Sequence, residues 1–451
     1  MKNPHSGGPT GACAAGIIVL TEIPDDFCSK QINFLAQIDK RIASRYNYFV
    51  SKLRAEKAAV PRPLSYFFME VLYMKKLFAL ALALSMALSL AACGGSSAPA
   101  ASGGSAASAG SAGNEGGKVY NVCNLVNGNL GDKSFFDSAE AGLEQLRDAG
   151  RITLNTIQMG GADEDQPAWL SNLYEVSESG EYDLIVCGTY QMPEYLDEVA
   201  AKYPDQKYLI YDSESSQPNV VNINYKQNDL GYLMGVFAAS MTTDTSVDNI
   251  NEDAVVGFVG GMDSPVINDF LYGFILGAQS VNPDIKVDTR YTNDYVDTAI
   301  AKEYALSMIN DNKCDIIWGV AGNSGNGAAE AALETGKAWF LGVDSDQELT
   351  FSSDLAAITL TSGLKNIGNS LVWFFDQWDA GQDLFGQNIL LGIPEGGVGI
   401  VTDKNYATYA SEETKAAMAA AQQSIIDGTV TVPSAIDDND GAIALRESVR
   451  P

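Results

Sequence analysis

Three short stretches carry side chains able to do chemistry. Gly342-Val343-Asp344-Ser345-Asp346 sets two carboxylates directly after an apolar run. Such a pair can serve glycoside hydrolysis as acid and base. A carboxylate at a strand end can equally accept hydrogen bonds from sugar hydroxyls, or cap the next turn. Gly322-Asn323-Ser324-Gly325-Asn326-Gly327 also follows an apolar run and opens a helical stretch. A glycine-rich strand–helix turn can cradle an anion on its N–H groups. This one lacks the Gly-Lys-Ser/Thr ending of a P-loop and the spacing of a dinucleotide fingerprint. A tight turn that lets backbone approach a ligand is therefore favoured, with Gly322 as its first candidate. Asp132-Lys133-Ser134-Phe135-Phe136-Asp137 precedes another helical stretch, and Asp132 or Ser134 suits its N-cap. Neighbours on a helix point about 100° apart, so Phe135 and Phe136 cannot both face the core as the helix starts. One can face a cleft; the alternative is that both pack inside.

Histidine narrows the chemistry. The chain's one histidine is His5, and the segment that holds it reads as absent from the working protein. That excludes Ser-His-Asp and Cys-His catalysis and histidine-ligated zinc. No metal-ligand spacing is present, and no cofactor is expected. The chain has 57 Asp+Glu against 28 Lys+Arg, a formal net charge of -29. This argues against nucleic acid, which requires basic patches, and against an anionic membrane surface. With 46% hydrophobic and 19% charged residues the chain is globular.

A secretory signal lies inside the sequence. Met74-Lys75-Lys76 is a basic start, residues 77–92 are uncharged and largely apolar, and Leu90-Ala91-Ala92-Cys93 closes the run. Charged region, apolar region and small-residue site together make a signal peptide, too short for a spanning helix. The ending resembles the bacterial lipobox, whose cysteine becomes a lipidated N-terminus. Residues 1–73 then read as an upstream extension from a start assigned too early, 74–92 as the signal, and 93–117 as lipidated Cys93 with a Gly/Ser/Ala tether. The remaining Cys123, Cys187 and Cys314 sit in or beside apolar runs and read as buried free thiols.

The elements that must position these groups begin at residue 118. Apolar runs at 119–126, 184–187, 208–211, 255–259, 315–320 and 339–343 read as strands. Between them, 134–149, 192–202, 229–240, 267–280, 297–311 and 327–335 read as helices. Alternation of this kind gives βαβ units with parallel sheets, and roughly 330 residues suit two wound lobes. Several strands end in a small or acidic residue and a loop, as at Cys187-Gly188, Gly260-Gly261, Ala321-Gly322 and Val343-Asp344. Open parallel sheets bind ligands at such carboxyl ends.

In order along the chain, further motifs join these: Tyr232-Leu233-Met234-Gly235, Gly257-Phe258-Val259-Gly260-Gly261-Met262, Phe270-Leu271-Tyr272-Gly273-Phe274, Thr361-Ser362-Gly363-Leu364-Lys365 and Gly396-Gly397-Val398-Gly399. Together with the three stretches above, from about 119 to 402, they resemble the basic membrane protein family of bacterial lipoproteins, which includes purine nucleoside receptors. The resemblance implies a type I periplasmic binding protein. Two Rossmann-like lobes, 118–225 plus 362–386 and 226–361 plus 387–451, would be joined by crossings near 224–227, 360–364 and 384–390. It implies an ABC permease in the same membrane as partner, with the lipid as the only anchor. It further implies a base held between Phe135 and Tyr295, ribose on Asp344 and Lys365, and Asp212 reading the base. Two positions depart from the nucleoside binders: Phe136 stands where they usually carry Asn, and Val126 where they carry Asp.

The leading reading is a tethered receptor delivering a nucleoside-like solute to an importer. The alternatives are a ligand sensor docking on a membrane signalling partner and an extracellular glycosidase using Asp344 and Asp346. If the signal reading holds, intact mass of the native protein gives a chain starting at Cys93 with added acyl mass; residues retained before Cys93, or no acyl mass, would refute it.

Overall fold

The computed structural model describes residues 118–451. The expected signal, Cys93 and tether lie outside the described residues. Two six-stranded sheets form the frame. The first is built from β1 (Tyr120–Val126), β2 (Ile152–Gln158), β3 (Leu184–Gly188), β4 (Tyr208–Tyr211), β5 (Val220–Tyr225) and, much later in the chain, β11 (Asn388–Leu391). Their order is β11-β5-β4-β3-β1-β2, parallel throughout. The second holds β6 (Val255–Gly260), β7 (Lys286–Tyr291), β8 (Ile316–Val320), β9 (Trp339–Asp344), β10 (Thr359–Lys365) and β12 (Val398–Ile400). Its order is β12-β10-β9-β8-β6-β7, with only β12 antiparallel. Central strands such as β3, β8 and β9 are buried along their whole length, as sheets covered on both faces require.

The main covering helices are α1 (Phe135–Asp148), α2 (Gln166–Ser179), α3 (Pro193–Lys202), α4 (Gln227–Met241), α5 (Pro265–Val281), α6 (Thr298–Asp311), α7 (Gly322–Thr335), α8 (Ile367–Asp379), α9 (Glu412–Ile426) and α10 (Asn439–Ser448). The two-lobed α/β architecture read from the alternation is the one present. The six expected strands and six expected helices form, and α7 starts at Gly322 rather than at 327. The glycine-rich stretch is itself the first turn of α7, pressed onto α6: a Cβ at Gly327 would lie 1.9 Å from the Thr298 carbonyl oxygen.

Two crossings fall later than expected. β10 stays in the second sheet as far as Lys365, and α8 then packs on α1 of the first lobe, where Gly142 and Gly368 meet. The second crossing is therefore at 365–367, not 360–364. β11 pairs with β5, so the chain returns to the second lobe between 391 and 398, not at 384–390. β5 ends at Tyr225 and α4 begins at Gln227.

Two of the sequence motifs build packing. Gly231 and Gly235 on α4 face Gly273 and Gly277 on α5. Added Cβ atoms would come within 2.1 Å of Phe270 O, 2.0 Å of Phe274 O, 2.0 Å of Asn228 O and 2.0 Å of Tyr232 O respectively. Only glycine lets two helix backbones approach so closely. This seats Phe270 beneath the cleft. Cys123, Cys187 and Cys314 are buried free thiols, as read.

Among the carboxyls that burial pushes upward are Asp132, Asp269 and Asp344, to about 6, and Asp315, to about 7. Each folded value exceeds the unfolded one, so the stability each gives is complete below the unfolded value near about 4. It is lost as pH rises through the folded value. The described residues hold no histidine to compete in this window. The melting temperature is expected to be higher at about pH 5 than at about pH 8; a flat or opposite profile from thermal melts would contradict this balance.

Candidate functional site

The carboxyl ends of the two sheets face each other across a cavity of about 210 Å³. All eight residues expected from sequence line it: Asp132, Phe135, Phe136, Asp212, Tyr295, Gly322, Asp344 and Lys365. They are not equivalent once their bonds are traced.

Asp132 is committed to its own loop. Its carboxylate accepts from the Ser134, Phe136 and Asp137 N–H groups at 3.1, 2.9 and 3.1 Å. It thereby satisfies N–H groups at the start of α1 that have no helical partner. Asp137 answers by accepting from the Gly131 and Lys133 N–H groups at 2.7 and 2.9 Å. Two carboxylates thus staple residues 131–137: Ser134 occupies the N-cap position without a capping bond from its own side chain, and the Asp132 carboxylate supplies the capping bonds. The Ser134 hydroxyl is turned to the other lobe, where it donates to Asp344 Oδ2 at 2.7 Å.

Asp212 and Asp344 end β4 and β9, which occupy the same place in the two sheet orders. Both adopt left-handed backbone, at φ 61 and φ 64. Non-glycine residues rarely sit there, and such positions cluster at binding sites. Between them lies Lys365, 1% exposed, with its ammonium 2.6 Å from Asp212 Oδ1. Phe270, Tyr225 and Phe135 rings surround the ammonium at 4.8, 5.6 and 5.7 Å. Burial raises the Asp344 carboxyl to about 6 against the pull of Lys365 and the Ser134 bond. Asp212 was expected to read a base and Lys365 to hold ribose. Their direct bond puts both groups at one point of the cavity.

Phe135 and Phe136 both reach the cavity wall, edge to face at 5.2 Å. Phe136 lies on Gly128, where a Cβ would come 2.2 Å from its ring. Tyr295 lies on the opposite lobe, and its hydroxyl meets that of Tyr190 across the cleft. Burial raises the Tyr295 phenol well above its usual range. Gly322, at φ 54, backs the Tyr295 carbonyl. The Ser324 N–H at the start of α7 is taken by Tyr295 O at 3.1 Å, and Asn323 Nδ2 by Val296 O at 2.8 Å. These bonds leave the turn poorly suited to cradle an anion.

Sequence reasoning missed Asn127, Thr189, Tyr190, Gln191, Ile267 and Phe270, which also line the cavity. The signal was present for four of them. Asn127 directly follows β1, and Thr189-Tyr190-Gln191 follows the noted strand end Cys187-Gly188. The Asp344/Asp346 hydrolase pair does not converge, because Asp346 bonds Lys404 at 2.5 Å away from the cavity lining. Further bonds cross the lobes: Ser345 Oγ donates to Lys133 O at 2.8 Å, and Asn326 Nδ2 to Asp132 O at 3.3 Å. Among the described residues no cluster is arranged to hold a metal ion, and no helix is long and apolar enough to cross a membrane.

A family model described as ABC transporter substrate-binding protein, PnrA-like, matches residues 119–435. A protein of Listeria innocua named CD4+ T-cell-stimulating antigen is 30% identical over 374 residues, covering 80% of this chain and 99% of its own length. The Lactococcus lactis protein named ABC transporter nucleoside-binding protein BmpA is 30% identical over 318 residues, covering 68% of this chain and 86% of its own. The fold is shared with a solute-binding protein of an ABC transporter system from Aeropyrum pernix, at TM-score 0.63 and 24% identity, covering 73% of this chain and 99% of that one.

The bonds of Asp132 make it a helix cap first. Asp132→Ala is expected to lower unfolding stability by about 1–2 kcal/mol in urea titrations, with Asp132→Asn milder because Asn also caps. A variant with unchanged stability and only weakened ligand affinity would return Asp132 to the ligand.

Proposed function

The chain belongs to the PnrA-like family of ABC transporter substrate-binding proteins, and on that premise we propose that its ligand is a nucleoside. A substrate-binding protein hands a small solute to an ABC permease. In this reading the protein does so outside the cytoplasm, held to the membrane by lipid on Cys93, and acts by binding and transfer rather than turnover. The name of the Lactococcus lactis relative is consistent with the ligand class.

One observation carries the reading: a single cavity joins a buried ammonium and two carboxylates to an aromatic wall. An ammonium only donates and a carboxylate only accepts, so together they suit a vicinal diol, whose hydroxyls do both. Aromatic faces desolvate a planar ring, and stacking of a base contributes about 1–3 kcal/mol. Phe135 and Phe136 give that face on the first lobe, and Tyr295 on the second. The acid excess disfavours nucleotides, whose phosphates it repels. The bonds between Ser134 and Asp344 and between Lys365 and Asp212 span the lobes. Ligand entry therefore requires opening at the three crossings and closing again, the hinge motion of two-lobed binders.

Calorimetry of the ligand-stripped domain against adenosine, guanosine, inosine, uridine and cytidine tests this, with ribose and free bases as controls. At least one nucleoside is expected to bind with Kd below about 100 μM, roughly −5.5 kcal/mol, and more tightly than either of its halves. No nucleoside binding at that level would overturn the nucleoside reading and leave the family assignment standing.

A further inference from the structure

The loop at residues 132–134 of the first lobe seats in a slot on the second. Asn326 Nδ2 donates to the Asp132 carbonyl oxygen at 3.3 Å, and Ser345 Oγ to the Lys133 carbonyl oxygen at 2.8 Å. Neither Asn326 nor Ser345 lines the cavity, so both bonds join the lobes away from any solute. Each side of the contact is built on its own lobe. On the first, the Asp132 and Asp137 carboxylates staple the loop, and its tip Lys133 holds left-handed backbone at φ 60. On the second, a buried pair of amides sets Asn326. The Val343 N–H donates to Gln347 Oε1 at 3.1 Å, and Gln347 Nε2 to Asn326 Oδ1 at 3.2 Å. Gln347 is 2% exposed and Asn326 8%. Both ends of this chain of bonds are backbone groups. The Val343 N–H can only donate, and the Asp132 carbonyl can only accept. Together they fix both amides: Gln347 gives its nitrogen to Asn326, and Asn326 gives its own to the loop. The same nitrogen also donates to Asn323 Oδ1 at 3.2 Å, a contact within the second lobe that does not depend on closure.

Joining two preorganised surfaces orders few further groups, so more of each bond's energy goes into holding them together. We propose that loop 132–134, Asn326 and Ser345 form a latch that holds the cleft closed, with Gln347 as the residue that positions Asn326. The latch sets affinity for every solute alike, through the closed population rather than through contact. It also acts on the empty protein, which samples the closed cleft without solute. The inference rests on the hinge motion of the two lobes and is independent of which solute they hold.

Two readouts test it. Distances between spin labels on the two lobes report the closed share of the ligand-stripped protein. Asn326→Ala and Ser345→Ala are each expected to lower that share. Gln347→Glu is the sharper variant. Its carboxylate still accepts from Val343 but offers Asn326 only an acceptor, so the Asn326 amide turns over and presents oxygen to the Asp132 carbonyl. It should open the cleft at least as much as Asn326→Ala, although the Gln347 side chain bonds Val343 and Asn326 and not the loop. In calorimetry, Asn326→Ala should weaken each nucleoside and its 2′,3′-dideoxy analogue by one common factor of about three to ten, the scale of a neutral hydrogen bond. A residue that touches the solute would weaken the two members unequally. Unchanged distances in all three variants would overturn the latch, and so would unequal losses within such a pair. Failure of every nucleoside to bind would overturn the nucleoside reading alone, and the distances would still decide the latch.

Discussion

A lysine that is 1% exposed must find its counter-charges inside the protein, and Lys365 finds them on opposite lobes. Asp212 comes from the end of β4 in the first sheet, and Asp344 from the end of β9 in the second. Removing three charges from water is expensive unless each is bonded. The remaining architecture supplies those bonds. β10 carries Lys365 out of the second lobe at the crossing to α8. The stapled loop 131–137 offers the Ser134 hydroxyl to Asp344. The glycine contact between α4 and α5 brings Phe270 against the ammonium. The cluster is complete only when both lobes contribute, so the charge arrangement and the closed cleft are one constraint.

The two lobes solve the same local problem twice. Matching strands end in an aspartate with nearly the same left-handed φ. A left-handed residue turns the chain sharply off the sheet and leaves the carboxylate at the strand's carboxyl end. Such strain persists only when surrounding bonds over-determine it. For Asp212 the bond is to Lys365, and for Asp344 it is to Ser134. The aspartates then differ in what they can still accept. Asp212 is held by an ammonium. Asp344 is held by a neutral hydroxyl, and its carboxyl is raised to about 6 by burial. Asp344 is thus the member with more to gain from a donor on an incoming solute.

Much of this was legible in the sequence, for physical reasons that also mark where legibility ends. Fully buried strands such as β3 and β9 announce themselves as apolar runs, and the acidic residue that closes β9 stands out against them. β2 is half exposed and reads Ile-Thr-Leu-Asn-Thr-Ile-Gln, with little to separate it from a loop. β11 joins the first sheet only after the chain has visited the second, so its place depends on a partner far away in sequence. The crossings were misplaced for the same reason. A strand that changes lobes carries no local mark of the change. Asp132 was legible both as a cap and as a ligand group, and the sequence does not separate the two, since both use the same residue type in the same kind of loop. Asn127 and Thr189 stand directly after strand ends that the sequence marks, but the bond between them and the backbone angle of Thr189 leave no local signal.

The cavity's own bonding limits what can fill it. Two carboxylates face one ammonium, so the polar groups already hold excess negative charge, and the chain around them is acidic. An anionic solute would face repulsion with one shared cation to offset it, and that cation is already taken by Asp212. A cationic solute would meet the carboxylates but also the Lys365 ammonium and its aromatic collar. A neutral solute with hydroxyls at one end and a flat ring at the other leaves the charge balance untouched. It gives Asp344 a donor and covers Phe135 and Phe136.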